Sequence, residues 1–397
     1  MRPLAGVQCT FLIGATKLVV GEFTQDTEIL VIGGGPTGRE AARRCAELGK
    51  QTLLADPDPL PATTGVENVQ GSVRFADKRS VQVTGEHVSR IRFKRAIVCT
   101  GCHMGPNVLR GLEASGSWRE PAQGRVLVAG SGTLAVTVAM QNATSGADVV
   151  LACPGTQLLP SVDPIISAVI VEHLVSNQVD LLPNIQFAGI TQDNDSALVV
   201  LDEGTVLGEF DKIIAAHPIG GHFENLDLQN TAVEIESGWI KIAETGTTAE
   251  NRILAAGGCT GLVFEPAAAA HHGRLVAESA CGLDATWDPA AIPAFLEAPL
   301  PMSWCGLNEA MATEEGHDPT SIGLGKGQTI VRMVHDRQSG LLLGAGATGS
   351  SARIVGEAAT MALEMGATIE DLAALSPVAQ DRPGLADVAR TAWKPTS

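Results

Sequence analysis

The stretch "TEILVIGGGPTGREAARRCAELGKQTLLADPD", residues 27–58, admits few folds. Ile29–Ile32 is an apolar run of the kind that forms a buried strand. Gly33, Gly35 and Gly38 follow as G-x-G-x-x-G, with Pro36 inside the turn. Over Arg39–Leu48 the residues Ala41, Ala42, Cys45 and Leu48 fall on one face of a helix. "QTLLA" is a second strand, and it closes on Asp56. The order strand, glycine turn, helix, strand, acid is that of a dinucleotide-binding unit. Gly33 permits the tight turn, Gly35 lets backbone approach a pyrophosphate, and Gly38 packs helix against strand. The helix N-terminus faces the phosphates. Asp56 stands about twenty residues past Gly33, where a carboxylate reads ribose hydroxyls.

A second unit begins about a hundred residues later, in "GRVLVAGSGTLAVTVAMQNATSGADVVLACPG". Val126–Ala129 is a strand. Gly130, Gly132 and Ala135 form G-x-G-x-x-A, a helix runs to about Ala143, and "ADVVLA" is the next strand. That strand ends on Cys153 and Pro154. It offers neither an acid for a ribose 2′-hydroxyl nor an arginine for a 2′-phosphate. Here the fold signal persists while the nucleotide-reading signal has faded, which leaves NAD(P) binding doubtful.

"IVCTGCHMG", residues 97–105, holds Cys99, Cys102 and His103 as C-x-x-C-H. The spacing attaches c-type haem, and C-x-x-C alone can be a redox dithiol. The neighbours favour neither. Ile97 and Val98 end a strand, Thr100 and Gly101 make a turn, and Cys99 reads as a small buried side chain.

Composition bounds the rest. The chain has 397 residues, 45 % of them hydrophobic, and 44 glycines, which suits a folded α/β protein of two or three domains. A net charge of −17 argues against nucleic acid and anionic membranes as partners. The longest apolar candidate, Val7–Val20, is interrupted by Gln8, Thr10, Thr16 and Lys17 and does not read as a membrane span. No convincing signal-peptide cleavage site follows the first residues. Eight scattered cysteines do not form a disulfide framework, so a cytoplasmic location is expected. Tyrosine is absent.

Taken along its length, the chain resembles the FAD-dependent pyridine nucleotide–disulfide oxidoreductases of class I, of the dihydrolipoamide dehydrogenase type. "LVVGEFTQDTEILVIGGGPTG" is similar to the family's N-terminal stretch. "ENVQGSVRFADKRSVQVTG" with "FKRAIVCTG" resembles the β-rich segment that leads to its Ala-Thr-Gly turn. "NRILAAGGCT" and "EPAAAAHHGRLVAESACG" resemble its second FAD stretch and the following helix. "AIPAFLEAPLPMSWCGLNEAMATEEG" and "RMVHDRQSGLLLGAGATGSSARIVGEAATMALEMGATIEDLA" resemble its interface domain. The resemblance implies two Rossmann-like domains, one of FAD type and one of NAD type, plus a C-terminal α+β dimerisation domain. The expected boundaries are 1–122 with 250–288, then 123–249, then 289–397, with the first crossover near 113–124. FAD is the implied cofactor. Gly33, Gly35, Pro36, Gly38, Asp56, Thr100, Gly101, Gly130, Gly132 and Ala135 are its implied nucleotide-binding positions.

The family's chemistry needs residues that this chain lacks. After Asp56 it reads "PDPLPATTGVENVQGSV", without the cysteine pair of the redox disulfide. The family's His-Pro-Thr-x-x-Glu maps onto Arg382–Asp387, and arginine does not deprotonate near neutral pH. Gly258 stands for the aspartate that binds the ribityl chain, followed by Cys259, which reads as buried. Thr137 replaces a glutamate after the second glycine turn, and Thr133 replaces the residue that gates nicotinamide entry. No catalytic residue and no metal ligand is expected. Adjacent His271 and His272 point about 100° apart on a helix and read as surface or flavin-side packing. Thr368 is a plausible cap for a helix over "ATIEDLAAL". Two functions follow as expectations: a catalytically degenerate FAD-fold subunit, a pseudoenzyme pairing with itself or an active paralogue, or a residual NAD(P)H oxidoreductase with a non-thiol acceptor.

Overall fold

The computed structural model describes residues 23–85, 88–104, 121–193, 196–201, 204–297, 300–376 and 383–393. The apolar stretch at 7–20, most of the crossover at 113–124, and Arg382 lie outside the described residues.

The first sheet is built from β1 (Phe23–Ile32), β2 (Thr52–Asp56), β3 (Val66–Gln70), β4 (Ser72–Asp77), β5 (Ser80–Thr84) and β6 (Val88–Val98). Helix α1 (Pro36–Glu47) joins β1 to β2. The order across the sheet is β3-β2-β1-β6-β5-β4. β1, β2, β3 and β6 run parallel, whereas β4, β5 and β6 form an antiparallel meander. Helix α1 begins three residues before the apolar pattern does. Pro36 occupies its first turn, where a missing N–H costs nothing. β2 and β3, although parallel, are joined by residues 57–65 without an intervening helix. Parallel neighbours usually need a crossover of a dozen residues or more.

β7 (Cys102–Met104) leaves this sheet. Then come β8 (Arg125–Ala129), α2 (Thr133–Thr144), β9 (Asp148–Ala152), α3 (Pro164–Ser176), β10 (Asp180–Leu182), and a small antiparallel sheet of β11 (Phe187–Asp193), β12 (Ser196–Leu201) and β13 (Val206–Phe210). β14 (Lys212–Ala215) completes a parallel sheet of order β10-β9-β8-β14. β15 (Pro218–Gly221) returns antiparallel to β7. After the two-residue strands β16 (Ile235–Glu236) and β17 (Trp239–Ile240), β18 (Ile253–Ala255) re-enters the first sheet beside β6. Helix α4 (Pro266–Ala280) then packs on α1. Small residues allow that approach, because a Cβ on Gly273 would overlap the Thr37 carbonyl. Across the pair Arg44 of α1 reaches Glu278 of α4 at 2.7 Å, and Arg274, one turn earlier on α4, lies 3.4 Å from the same carboxylate oxygen.

The C-terminal part is a five-stranded antiparallel sheet, β19 (Ala294–Leu296), β20 (Met302–Gly306), β21 (Pro319–Lys326), β22 (Thr329–Asp336) and β23 (Leu342–Thr348), in the order β19-β20-β23-β22-β21. Helices α5 (Glu309–Glu314), α6 (Ala352–Glu364), α7 (Ile369–Ala374) and α8 (Leu385–Ala392) accompany it. Thr368 and Asp371 form the capping box that starts α7. One apolar core runs from α2 and α3 into β19, β20 and β22. Within it Asp163, 1 % exposed, caps α3 through the Ile165 N–H and pairs with Arg332 of β22 at 3.2 Å. Among the described residues no helix is long and apolar enough to cross a membrane.

Candidate functional site

The first glycine turn has the geometry that its sequence dictates. Gly33 takes φ +107°, and a Cβ there would overlap the Cys99 carbonyl. Gly35 precedes α1 with nothing near its Cβ position, and no side chain caps the helix. No side chain caps or crowds this helix start, which leaves it to an incoming pyrophosphate. Asp56 ends β2 beside them. Its carboxylate accepts from the Gly34 N–H at 2.5 Å and the Asp58 N–H at 2.9 Å. Leu60, from the short β2–β3 connection, packs where a Gly34 side chain would lie.

Thr100 and Gly101 follow β6 against this turn. The Thr100 hydroxyl is buried without a hydrogen-bond partner, and Gly101 has empty space at its Cβ position. An orphaned hydroxyl and an open helix end in one place fit the adenosine and pyrophosphate end of FAD. The flavin end differs. Gly258 carries no carboxylate, and Cys102 Sγ stands 3.2 Å from the position of its missing Cβ.

The second turn is formed in the same way. Gly132 is open and leaves α2 without a side-chain cap, Gly130 would meet the Ala216 carbonyl, and Ala135 is buried beneath the turn. Its surroundings are not the same. Cys153 follows β9, buried, with its thiol pushed up to about 11 by desolvation. Thr137 spends its hydroxyl on the Thr133 carbonyl. Thr133, the first residue of α2, donates to Glu265 at 2.6 Å. Burial holds the Glu265 carboxyl above its ordinary range. Sequence reasoning missed Glu265, since 132 positions separate the partners.

The C-x-x-C-H residues divide. Cys99 is buried between α1 and β6, and desolvation, with Cys259 nearby, raises its thiol strongly. Cys102 is pushed up to about 11 by burial. Neither is a thiolate near neutral pH, which a working dithiol needs. His103 points elsewhere. Its Nε2 lies 2.8 and 2.9 Å from the two Glu224 carboxylate oxygens, and its ring centroid is 4.5 Å from that of His222. Neither His222 nor Glu224 carries a motif, so residue order held no sign of this cluster.

For the helical histidines, the surface placement holds for His271 alone. His272 is fully buried and stacked on Trp287 at 4.6 Å. Its Nδ1 accepts the Gly257 N–H at 3.1 Å, and its Nε2 has no partner. Burial, then the neighbouring His271, pulls its pKa down to about 4. An unfolded histidine titrates near 6.5. Between those values the unfolded state binds the extra proton. This contribution to stability is complete above about pH 6.5 and is lost as pH falls towards 4. The expected loss is roughly 3 kcal/mol. Denaturant unfolding across that range, against a His272→Gln variant lacking the titration, measures it. An NMR midpoint near 6.5 for the His272 ring would contradict it.

Residues 60–273 match the family described as pyridine nucleotide-disulphide oxidoreductase, and residues 292–379 match its dimerisation domain. The chain belongs to this family, whose members are FAD-dependent and bind NAD(P). It is similar to the dihydrolipoyl dehydrogenase of Haloferax volcanii, 24 % identical over an alignment of 448 residues that covers 90 % of this chain and 94 % of the relative. The mercuric reductase of Staphylococcus aureus is 26 % identical, with 78 % of this chain and 60 % of the relative covered. Among solved structures, LpdA from Mycobacterium tuberculosis superposes with a TM-score of 0.76 at 17 % identity, covering 93 % of this chain and 100 % of that one. The chain is thus a dihydrolipoyl dehydrogenase-like member of the family, with the family's α/β fold and C-terminal dimerisation domain.

Proposed function

We propose that this protein keeps the flavin-binding fold and has lost dithiol chemistry, acting as a catalytically degenerate binding or structural subunit. The observation that carries this is the passage from β2 to β3. The family places its redox cysteines there. This chain has nine residues, 57–65, and no cysteine between Cys45 and Cys99. The alignment with the Haloferax relative, longer than the chain itself, agrees with a deletion.

Gly33, Gly35, Pro36, Gly38, Asp56, Thr100 and Gly101 would hold the adenosine and pyrophosphate end of FAD. Bound FAD supplies electron-transfer chemistry. Gly130, Gly132 and Ala135 would shape the second nucleotide turn. There the Glu265 carboxyl group already stands at the end of α2 that a pyrophosphate needs, which weakens the case for NAD(P). In the C-terminal motif, Asp387 serves as a cap, accepting the Gly384 N–H at 3.0 Å and pairing with Arg390. That role suits a helix start and not an acid/base catalyst.

The units would run 1–122 with 250–288, then 123–249, then 289–397. Ile354 and Met361 on α6 and Met365 just after it are exposed, so pairing of two copies through the C-terminal unit would bury them. A heterodimer with an active paralogue would use the same face. The described cysteines are all free, in keeping with a reducing, cytoplasmic setting.

The test is an absorbance spectrum of purified protein, repeated after anaerobic addition of NADH or NADPH. Flavin bands that ignore both nucleotides are expected. Bleaching by either would replace this reading with an NAD(P)H oxidoreductase that uses a non-thiol acceptor. A Soret band would return haem to Cys99, Cys102 and His103.

A further inference from the structure

We propose that His103, His222 and Glu224 form a binding site for one divalent transition-metal ion of the zinc class, clamping strands β7 and β15 together. The backbone places the ligands. β7 and β15 pair antiparallel, with His103 opposite Gly220 and Cys102 opposite Gly221. The next residue, His222, donates its N–H to the Gly101 carbonyl at 3.0 Å. Two imidazoles from strands far apart in the sequence thus share one face, 4.5 Å between centroids and 46° between planes. Glu224, two residues beyond His222, turns both carboxylate oxygens towards His103 Nε2.

The atoms able to ligate all lie within 4.8 Å of one another. A tetrahedral zinc ion with ligands about 2.1 Å away separates them by roughly 3.4 Å. Reaching that spacing takes small side-chain rotations, opening the His103–Glu224 contact slightly and drawing in the wider ones, and the side chains of His103 and Glu224, 39 and 58 % exposed, have room for them. Two imidazoles and one carboxylate suit Zn²⁺ or its neighbours in the first transition row. Three protein ligands leave a coordination position for water.

A simple ion pair between His103 and Glu224 leaves the second histidine unexplained. A bound metal ion would use both imidazoles, since a ring nitrogen of each lies in the same cluster as the Glu224 carboxylate. The clamp would fix the two strands that carry the chain out of the first sheet and back to it. It involves no electron transfer and does not depend on whether the flavin is active.

The experiment uses full-length protein freed of metal by chelation and then of chelator. It is titrated with Zn²⁺ by calorimetry and with Co²⁺ by visible absorption at neutral pH. One high-affinity ion per chain is expected, with a cobalt band of tetrahedral or five-coordinate intensity. Loss of a true ligand should exceed the about 10- to 100-fold that outer-shell partners cost. His222→Ala should therefore abolish that binding event and the band. Glu224→Gln, isosteric and on an exposed side chain, keeps the fold and should weaken binding by at least about tenfold. Binding that neither substitution alters, or no uptake at 100-fold molar excess of Zn²⁺, would overturn the proposal.

Discussion

Dihydrolipoamide and NAD⁺ incubated with the flavin-loaded protein are expected to yield no NADH above the buffer rate. Enzymes typically turn over near 10 s⁻¹. Loss of a positioned general base alone costs about 10²- to 10⁴-fold, and the degenerate reading proposed above removes the nucleophile as well. Thiol exchange needs a thiolate that can reach its partner. Around the Thr100–Gly101 turn the described thiols are Cys99, Cys102 and Cys259. Burial raises all three, Cys102 to about 11 and Cys259 to about 12. Cys281 differs. A hydrogen bond from Cys45 lowers it, against the cost of burial, with Lys50, Arg44 and Arg95 adding to the effect. Cys281, however, follows the C-terminal end of α4, the opposite end from Glu265. A turnover below about 10⁻³ s⁻¹ is expected, since the combined losses exceed those of a base alone. A coupled assay reading several turnovers per second would refute the degenerate reading.

Gly38→Val should unfold the first nucleotide unit or bring it close to unfolding. The added Cβ itself would overlap the Gly33 carbonyl oxygen, so no rotamer relieves the clash, and Cys99 Cβ stands 3.3 Å away on the other side. Relief requires α1 to move off β1 and with it the α1–α4 contact, which Gly273 keeps equally tight. A loss of upwards of about 4 kcal/mol is expected, at the extreme of single substitutions. Gly35→Ala is the control. Its φ of −66° suits alanine, and nothing lies near the new methyl group. It should cost about 1 kcal/mol or less in stability. Its methyl would still occupy the approach path of the pyrophosphate, so flavin content should fall. Urea melts with flavin occupancy separate the two effects. Equal stability for the two variants would mean that Gly38 does not hold the turn.

Some features of this protein were legible in residue order alone because they are local. The glycine spacing at Gly33–Gly38 and Gly130–Ala135, the apolar runs beside them, and the Thr368 cap each depend on neighbours within a few turns of chain. That no cysteine lies between Cys45 and Cys99 was equally plain. The sequence placed the start of α1 late, since Pro36 and Thr37 lack the apolar period that marks the rest of the helix.

What tertiary structure decided was everything made by distant partners. His103 and Glu224 are 121 positions apart and meet because β15 returns to β7. Thr133 meets Glu265 across 132 positions, and Asp163 meets Arg332 across 169. His272, read from the sequence as surface or flavin-side packing, is fully buried and stacked on Trp287, which excludes the surface alternative. A sequence pattern records periodicity along one element, whereas these contacts depend on how separate elements are packed together.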